Sequence, residues 1–395
     1  MKQQDPNSLL VKVTLLLTST LTVMAGATIA PSLPAIRDYF SNVSNVDYWT
    51  RLILTIPALF IAIGAPFVGT FIDRFGRKLL LVLAMLLYGL AGSSGFVLNS
   101  IDLMLFGRVL LGLSVAGVMT TATTLIADYY TGAARAQFLG LQAAFMGLGG
   151  VVFLSLGGVL ADVNWRLPFL IYLVAWLILP LVLFVLPEPQ RDRDAVSNQS
   201  QLPSTSEPLP WELLLTIYAI ALITQIVFYL IPTQLPFYLQ QLINARAAQS
   251  GLAIALTTLA TSISALGYPQ LKKQFSFNAI YAIAFGLMAI GYSIISLVGS
   301  YELILIGLAI GGLGIGLLMP NMNVCLTATV PATARGRVLG GLTTSLFLGQ
   351  FISPILSQPL SQQVGLGSTY GWAGGLMLIM SAIAVIVVWR SGTGE

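Results

Sequence analysis

Two places in this chain combine residue types into a pattern with chemical content. The first is Gly69-Thr70-Phe71-Ile72-Asp73-Arg74-Phe75-Gly76-Arg77-Lys78, a charged island between two long apolar runs. Asp73 and Arg77 stand four apart, a spacing that pairs an acid and a base across one helical turn. Gly69 and Gly76 permit a sharp bend and close helix approach. A simple excess of positive charge would account for Arg74, Arg77 and Lys78, but not for an acid set between glycines. The second is Leu105-Phe106-Gly107-Arg108-Val109-Leu110-Leu111-Gly112. Arg108 is the only basic residue well inside an apolar run, about 12 Å from its end by helical rise. An arginine there costs roughly 2.5–3.5 kcal/mol on insertion scales, which makes it the coupling candidate. The competing reading is a structural arginine tied to backbone carbonyls or snorkelling outward.

Composition removes most other chemistry. The 395 residues are 56% hydrophobic and 8% charged, with a mean hydropathy of +0.88, whereas soluble domains carry about 25% charge. There is no histidine and one cysteine, Cys325, so the commonest metal ligand and general base is missing and no internal disulfide can form. No G-x-x-x-x-G-K-[ST] run is present to bind a nucleotide. A membrane enzyme would need a nucleophile and base inside the bilayer. A channel would need a repeated filter or charged ring. Neither is visible. Every acid, from Asp5 to Glu395, falls in a terminus, a loop or a span end. Asp38 and Asp128 come nearest to mid-membrane, and Asp38 reads as an interfacial charge.

The elements that must position these residues are membrane helices. Twelve apolar stretches are placed at 9–30, 49–70, 79–98, 101–127, 137–160, 166–186, 211–231, 248–268, 277–298, 303–328, 337–360 and 370–389. Each is long enough to cross a core of ~30 Å. The run from Leu9 is too long for a cleaved signal peptide and reads as the first span. With the N-terminus inside, thirteen of the eighteen lysines and arginines fall in inner segments and four (Arg37, Arg51, Arg166 and Arg246) in outer ones. That bias places both termini in the cytoplasm and the protein in the cell membrane. The Pro-, Ser- and Gln-rich stretch 187–210 reads as a cytoplasmic linker between six-helix bundles at 1–186 and 211–395.

An internal repeat supports the division. At an offset of 200 residues, Leu103 meets Leu303, Gly107 meets Gly307 and Gly112 meets Gly312. In the same ungapped register Ala134-Arg135 meets Ala334-Arg335, Gly140 meets Gly340, and Leu148-Gly149 meets Leu348-Gly349.

The charged island closely resembles the loop between helices two and three of the major facilitator superfamily of secondary transporters. Arg108 with Gly112 resembles that family's fourth-helix motif, and Pro31-Ser32-Leu33-Pro34-Ala35-Ile36 resembles the drug:proton antiporter branch. The resemblance implies an all-α integral membrane fold of twelve helices in two pseudo-symmetric six-helix bundles, with a solute site between them. It implies a conformational latch of Gly69, Asp73, Arg74, Gly76, Arg77 and Lys78, with Asp73 facing the start of the eleventh helix near Gly336-Arg337 and Asp128 as second acid for Arg77. Spans one, four, seven and ten line the cavity in that family. The expected lining is therefore Thr18, Thr22, Thr120, Thr124, Gln225, Tyr229, Asn321 and Asn323, with Gln350 from span eleven. Each of these also has a plain packing role open to it. Exporters of the antiporter branch commonly carry Gly-Pro four residues before a Gly-Gly such as Gly157-Gly158. Here those positions are Phe153-Leu154, and only the repeat-related site, Ser353-Pro354, keeps the proline.

The expected activity is secondary transport of a small organic solute by alternating access, with export of lipophilic or drug-like compounds favoured. Uptake or facilitated passage of a neutral or anionic metabolite such as a sugar is the alternative. The expected partners are the solute, protons as candidate coupling ion and the lipid bilayer. No cofactor, metal, nucleic acid or second subunit is expected.

Overall fold

The computed structural model describes residues 8–189, 209–331 and 334–392. Among the described residues every regular element is helical, and twelve helices are long and apolar enough to cross a bilayer. In chain order they are α1 (Leu9–Tyr39), α2 (Val46–Ile72), α3 (Arg77–Phe96), α4 (Ile101–Tyr129), α5 (Gly132–Val163) and α6 (Leu167–Val185). After them come α7 (Trp211–Ile243), α8 (Ala247–Lys272), α9 (Phe277–Leu297), α10 (Tyr301–Thr329), α11 (Arg335–Val364) and α12 (Leu366–Arg390). Most of the expected linker, residues 190–208, lies outside the described residues.

Two crossings run well past the ends that the apolar runs indicate. α1 continues to Tyr39 and α7 to Ile243 because each is broken rather than ended. A 3-10 turn at Ala30–Ser32 interrupts α1, and Tyr229 separates two helical segments in α7. Pro31, Pro34 and Pro232 fall in first turns, where no intrahelical N–H is lost, and Pro236 lies inside the second segment of α7. Breaking a helix inside a bilayer frees carbonyls that need donors. Tyrosines from neighbouring helices donate to backbone carbonyls of α1 and α7 in the same way in both halves. In the first half Tyr88 of α3 donates to Leu21 O at 2.7 Å and Tyr172 of α6 to Ala25 O at 3.5 Å. In the second, Tyr292 of α9 donates to Val227 O at 3.0 Å and Tyr370 of α12 to Leu230 O at 3.1 Å.

Helix packing repeats as the sequence does. The contacts α1–α5, α2–α4, α3–α4 and α3–α6 recur as α7–α11, α8–α10, α9–α10 and α9–α12. The halves meet mainly through α2 against α11 and α5 against α8, a pair of seams exchanged by the same relation. The glycines of the internal repeat mark equivalent close approaches. A Cβ on Gly112 would lie 2.5 Å from Pro57 O of α2, and one on Gly312 would lie 2.7 Å from Thr257 O of α8. Gly149 and Gly349 likewise press against α1 and α7. Any side chain at these positions would drive two helices apart.

Candidate transport site and its two ends

At one end of the bundle the helix that forms α2 runs on beyond Ile72 to Phe75 and α3 starts at Arg77, with Gly76 between them at φ +93. Only glycine takes that conformation without strain. The turn leaves the first N–H groups of α3 without intrahelical partners. Glu188, just past α6, reaches back to supply them. Its Oε1 accepts from Arg77 N and its Oε2 from Lys78 N, both at 2.7 Å. A carboxylate there also faces the positive end of the α3 dipole. Arg77 Nε donates to Asp128 Oδ2 of α4 at 3.0 Å, and Tyr129 OH donates to Pro187 O.

The cluster is therefore built from the α2–α3 turn, the end of α4 and the chain leaving α6. It brings the side chains of Arg77 and Asp128 and the backbone N–H of Lys78 together. Gly76 interrupts the helix between Asp73 and Arg77, so the four-residue spacing is not one helical turn, and Arg77 goes to Asp128. The side chain of Asp73 lies outside the described residues, and with it the expected contact to α11. Gly69 faces open space rather than a neighbouring helix. Arg74 is exposed, its guanidinium 5.5 Å from the Phe75 ring. Glu188 was not among the sequence candidates. Its signal is an acid between prolines directly after the last apolar residue of a span.

Arg108 is 1% exposed, inside the first half. Its Nη2 donates to Gly92 O of α3 at 2.6 Å. The guanidinium stands 4.9 Å from the Phe169 ring and 5.1 Å from the Tyr172 ring, both on α6. Its Nε and Nη1 have no hydrogen-bond partner, and none of the salt bridges found among the described residues involves it. The site thus holds a caged cation with two donors in reserve.

The expected cavity residues divide. Thr18 is buried and bonded to its own helix at Thr14 O, 2.7 Å. Asn321 is also buried, with Nδ2 donating to Phe277 O at 3.1 Å and Oδ1 accepting from Tyr268 at 3.3 Å. Those two polar groups are spent on packing the second half, because a buried amide must be satisfied. Thr22, Thr120, Thr124, Asn323 and Gln350 are half-buried. Thr22 and Thr124 donate back to Ser19 O and Thr120 O of their own helices. Gln225 lies where α7 meets Gly349 of α11, and its Oε1 is buried without a partner. Tyr229 crosses between halves, donating to Gly26 O of α1 at 3.4 Å.

The opposite end, near Asn45, is tied shut between halves. Arg51 of α2, 3% exposed, donates from Nε to Gln234 Oε1 of α7 at 3.0 Å. Gln234 Nε2 continues to Ser357 Oγ of α11 at 3.0 Å. Tyr48 donates to Ile355 O at 2.7 Å. Gly158 of α5 lies against the backbone of Ala247, Ala248 and Gly251 of α8. The same four seam helices behave differently at the Gly76 end. There Gly69 of α2, Gly140 of α5, Gly267 of α8 and Gly336 and Gly340 of α11 have nothing within 4 Å of a built Cβ. Arg51 counts with the outer segments by sequence, although the apolar run at 49–70 already includes it. α2 begins at Val46, which places Arg51 a full turn inside the helix.

Comparison with known proteins agrees with this geometry. The family model of the Major Facilitator Superfamily matches residues 15–280 and 235–394. The bacillibactin exporter of Bacillus subtilis is 26% identical over 92% of this chain and 90% of its own length. The quinolone resistance protein NorA of Staphylococcus aureus is 22% identical over 83% of this chain and 84% of its own. A crystal structure of a D-xylose–proton symporter superposes with a TM-score of 0.77 at 15% identity, covering 95% of this chain and 96% of that one. With twelve membrane helices in two related bundles and a family model spanning nearly its whole length, the chain belongs to the Major Facilitator Superfamily and is a transporter rather than an enzyme.

Proposed function

We propose that this transporter exports lipophilic small organic solutes by alternating access. The bundles 1–186 and 211–395 rock about the central space, and 187–210 joins them on the cytoplasmic side. The observation that carries this reading is the contrast between the ends. Hydrogen bonds join α2 to α7 and α11 near Asn45, while seam glycines near Gly76 face open space. The lysine and arginine bias supports a cytoplasmic Gly76 end, which makes this the inward-open state. The half-buried lining offers hydroxyls and amides without a carboxylate, and that favours a neutral or amphipathic solute over a cation. The relatives named as a bacillibactin exporter and a quinolone resistance protein favour export. Protons are the coupling ion in this reading, Arg108 is the residue through which coupling acts, and the working unit in the cell membrane is a monomer.

Purified protein in liposomes tests the reading with a quinolone and a neutral lipophilic dye as probes. The expected result is saturable, counterflow-competent flux of at least one probe that responds to an imposed proton gradient. Saturable accumulation of a sugar with no flux of either probe assigns the uptake alternative. Conductance without saturation defeats a carrier altogether.

A further inference from the structure

A cavity of about 450 Å³ opens at the Asn45 end, outside the hydrogen-bonded bridge. Its size falls in the range of small-molecule sites, about 300–1,000 Å³. It has no part in the central lining described above. Two guanidinium groups, Arg37 of α1 and Arg51 of α2, converge in it, 5.4 Å and 4.0 Å from the centroid of Phe237 of α7. Gln240 and Gln241 of α7 and Gln358 and Gln362 of α11 supply amides around them. The facing acids are few. Asp47 also lines the cavity, but its carboxylate is 3.5 Å from Arg51 Nη1. Asp38 pairs with Arg37 at 2.7 Å from outside the lining, with its side chain 55% exposed.

We infer that this cavity binds a small hydroxylated carboxylate and that its occupation holds the Asn45 end shut. Arg37 gives Nε and Nη2 to Asp38, and Arg51 gives Nε to Gln234 and Nη1 to Asp47, so a ligand carboxylate bridges the one remaining nitrogen of each guanidinium by charge-assisted hydrogen bonds. Amide side chains both donate to and accept from hydroxyls. An alkyl or aryl acid would use the first feature and leave Gln240, Gln241 and Gln362 without hydroxyl partners, while Gln358 Oε1 already accepts from Gln234 Nε2. A neutral polyol would use the second and leave the remaining charged nitrogen of each arginine without an anionic partner from the ligand. Arg51 is the stronger element of the two because it is nearly dry, and a charge-assisted bond made there is weakly screened. The lining comes from α1 and α2 on one side and α7 and α11 on the other. A ligand across it therefore binds the closed form of this end better than the open form, and by linkage shifts the equilibrium toward closure.

The probe pair is gluconate and sorbitol, which share a six-carbon polyol skeleton and differ in the carboxylate. Thermal unfolding of the full chain in lipid nanodiscs is followed against each, with sodium chloride at matched ionic strength. Gluconate is expected to raise Tm saturably, sorbitol to act only at concentrations about tenfold higher, and sodium chloride to have no effect. Arg37→Gln, at the cavity rim, is expected to weaken gluconate about tenfold and leave sorbitol unchanged. Gln362→Ala is expected to weaken both. Gln225→Ala, in the central space, is expected to leave both alone. The inference fails if gluconate and sorbitol act alike, if salt reproduces the shift, if gluconate gives no saturable shift, or if Arg37→Gln matches wild type. Loss of the gluconate response in Gln225→Ala alone would place the ligand in the central space and overturn the inference equally.

Discussion

The two halves of this transporter differ most where their backbones agree best. At the repeat offset of 200 residues, Arg108 of α4 corresponds to Leu308 of α10, and Gly76 corresponds to Ser276. Both members of the first pair are buried, Arg108 at 1% and Leu308 at 0% exposure. The second half fills that position with an alkyl chain and keeps the same packing of α10 on α9. The fold therefore does not require a cation there. In the second pair, Ser276 caps its own helix, its Oγ accepting from Ala279 N at 3.2 Å. Gly76 offers no side chain, and α3 borrows its cap from Glu188 at the chain's exit from α6. One half closes its loop locally, and the other ties its loop to the segment leading to the second half. Where pseudo-symmetry is kept, the residues serve packing. Where it is broken by a charge, packing leaves the charge unexplained.

Exchanging the first pair puts this comparison at greatest risk. Leu308→Arg sets an uncaged cation in the second half and is expected to cost about 2.5–3.5 kcal/mol, seen as a large loss of folded protein in the membrane. Arg108→Leu removes a buried charge with two unpaired donors and fills the site with the side chain that the second half already carries there. Its Tm is expected to stay level or rise while flux in liposomes falls to that of empty vesicles. If Arg108→Leu instead unfolds the protein, the caged arginine is part of the structure and the asymmetry carries no functional meaning.

Next in size is the glycine at the turn. Gly76→Ala places a Cβ at φ +93 and 2.9 Å from Glu188 Oε1. The expected cost is about 1–3 kcal/mol from backbone strain alone, measured as a lowered Tm. Ser276→Gly, at the corresponding turn, loses only a cap that glycine partly replaces, a few tenths of a kcal/mol. Equal losses from the two substitutions would mean that the turns are built alike after all.

Much of this was legible in the chain itself. Apolar runs reveal crossings because the bilayer admits few other sequences, and the ungapped glycine register reveals two related bundles because close approach of helices excludes every side chain. The failures share a cause, which is that they depend on contacts between residues far apart. The continuations of α1 and α7 past their breaks carry polar residues such as Arg37 and Gln240, so the apolar run ends before the helix does. Thr18 and Asn321 have the right type and depth for a cavity, but their hydrogen bonds go to their own helix and half. Glu188 acts through N–H groups more than a hundred residues upstream, which no local pattern shows. Arg51 read as an outer-segment charge because nothing nearby in sequence announces Gln234.

The two caps give a smaller contrast. Glu188→Ala and Ser276→Ala each remove one helix cap and are expected to cost about 1 kcal/mol, giving similar falls in Tm. Flux is expected to separate them. Only Glu188 connects the α2–α3 turn to the exit from α6, so only its loss should slow transport beyond what stability explains. Equal flux in the two variants would reduce Glu188 to an ordinary cap.

The ion pair of the same cluster gives the smallest effect and the finest test. Arg77 and Asp128 are 3.0 Å apart, with side chains 19% and 27% exposed. Their counterparts in the second half are Phe277 and Ala328, and there Lys272 Nζ rests 3.9 Å from the Phe277 ring centroid instead. A pair open to water contributes about 0.2–1 kcal/mol and less at high salt. Asp128→Asn should therefore lower Tm only slightly, by an amount that shrinks as salt is added. Its effect on flux should not shrink in parallel, because Arg77 then loses the acid that fixes its position beside the Gly76 turn. Flux that recovers with salt as Tm does would show that the bridge only adds stability, and that the second half's cation–ring contact does the same job by other means.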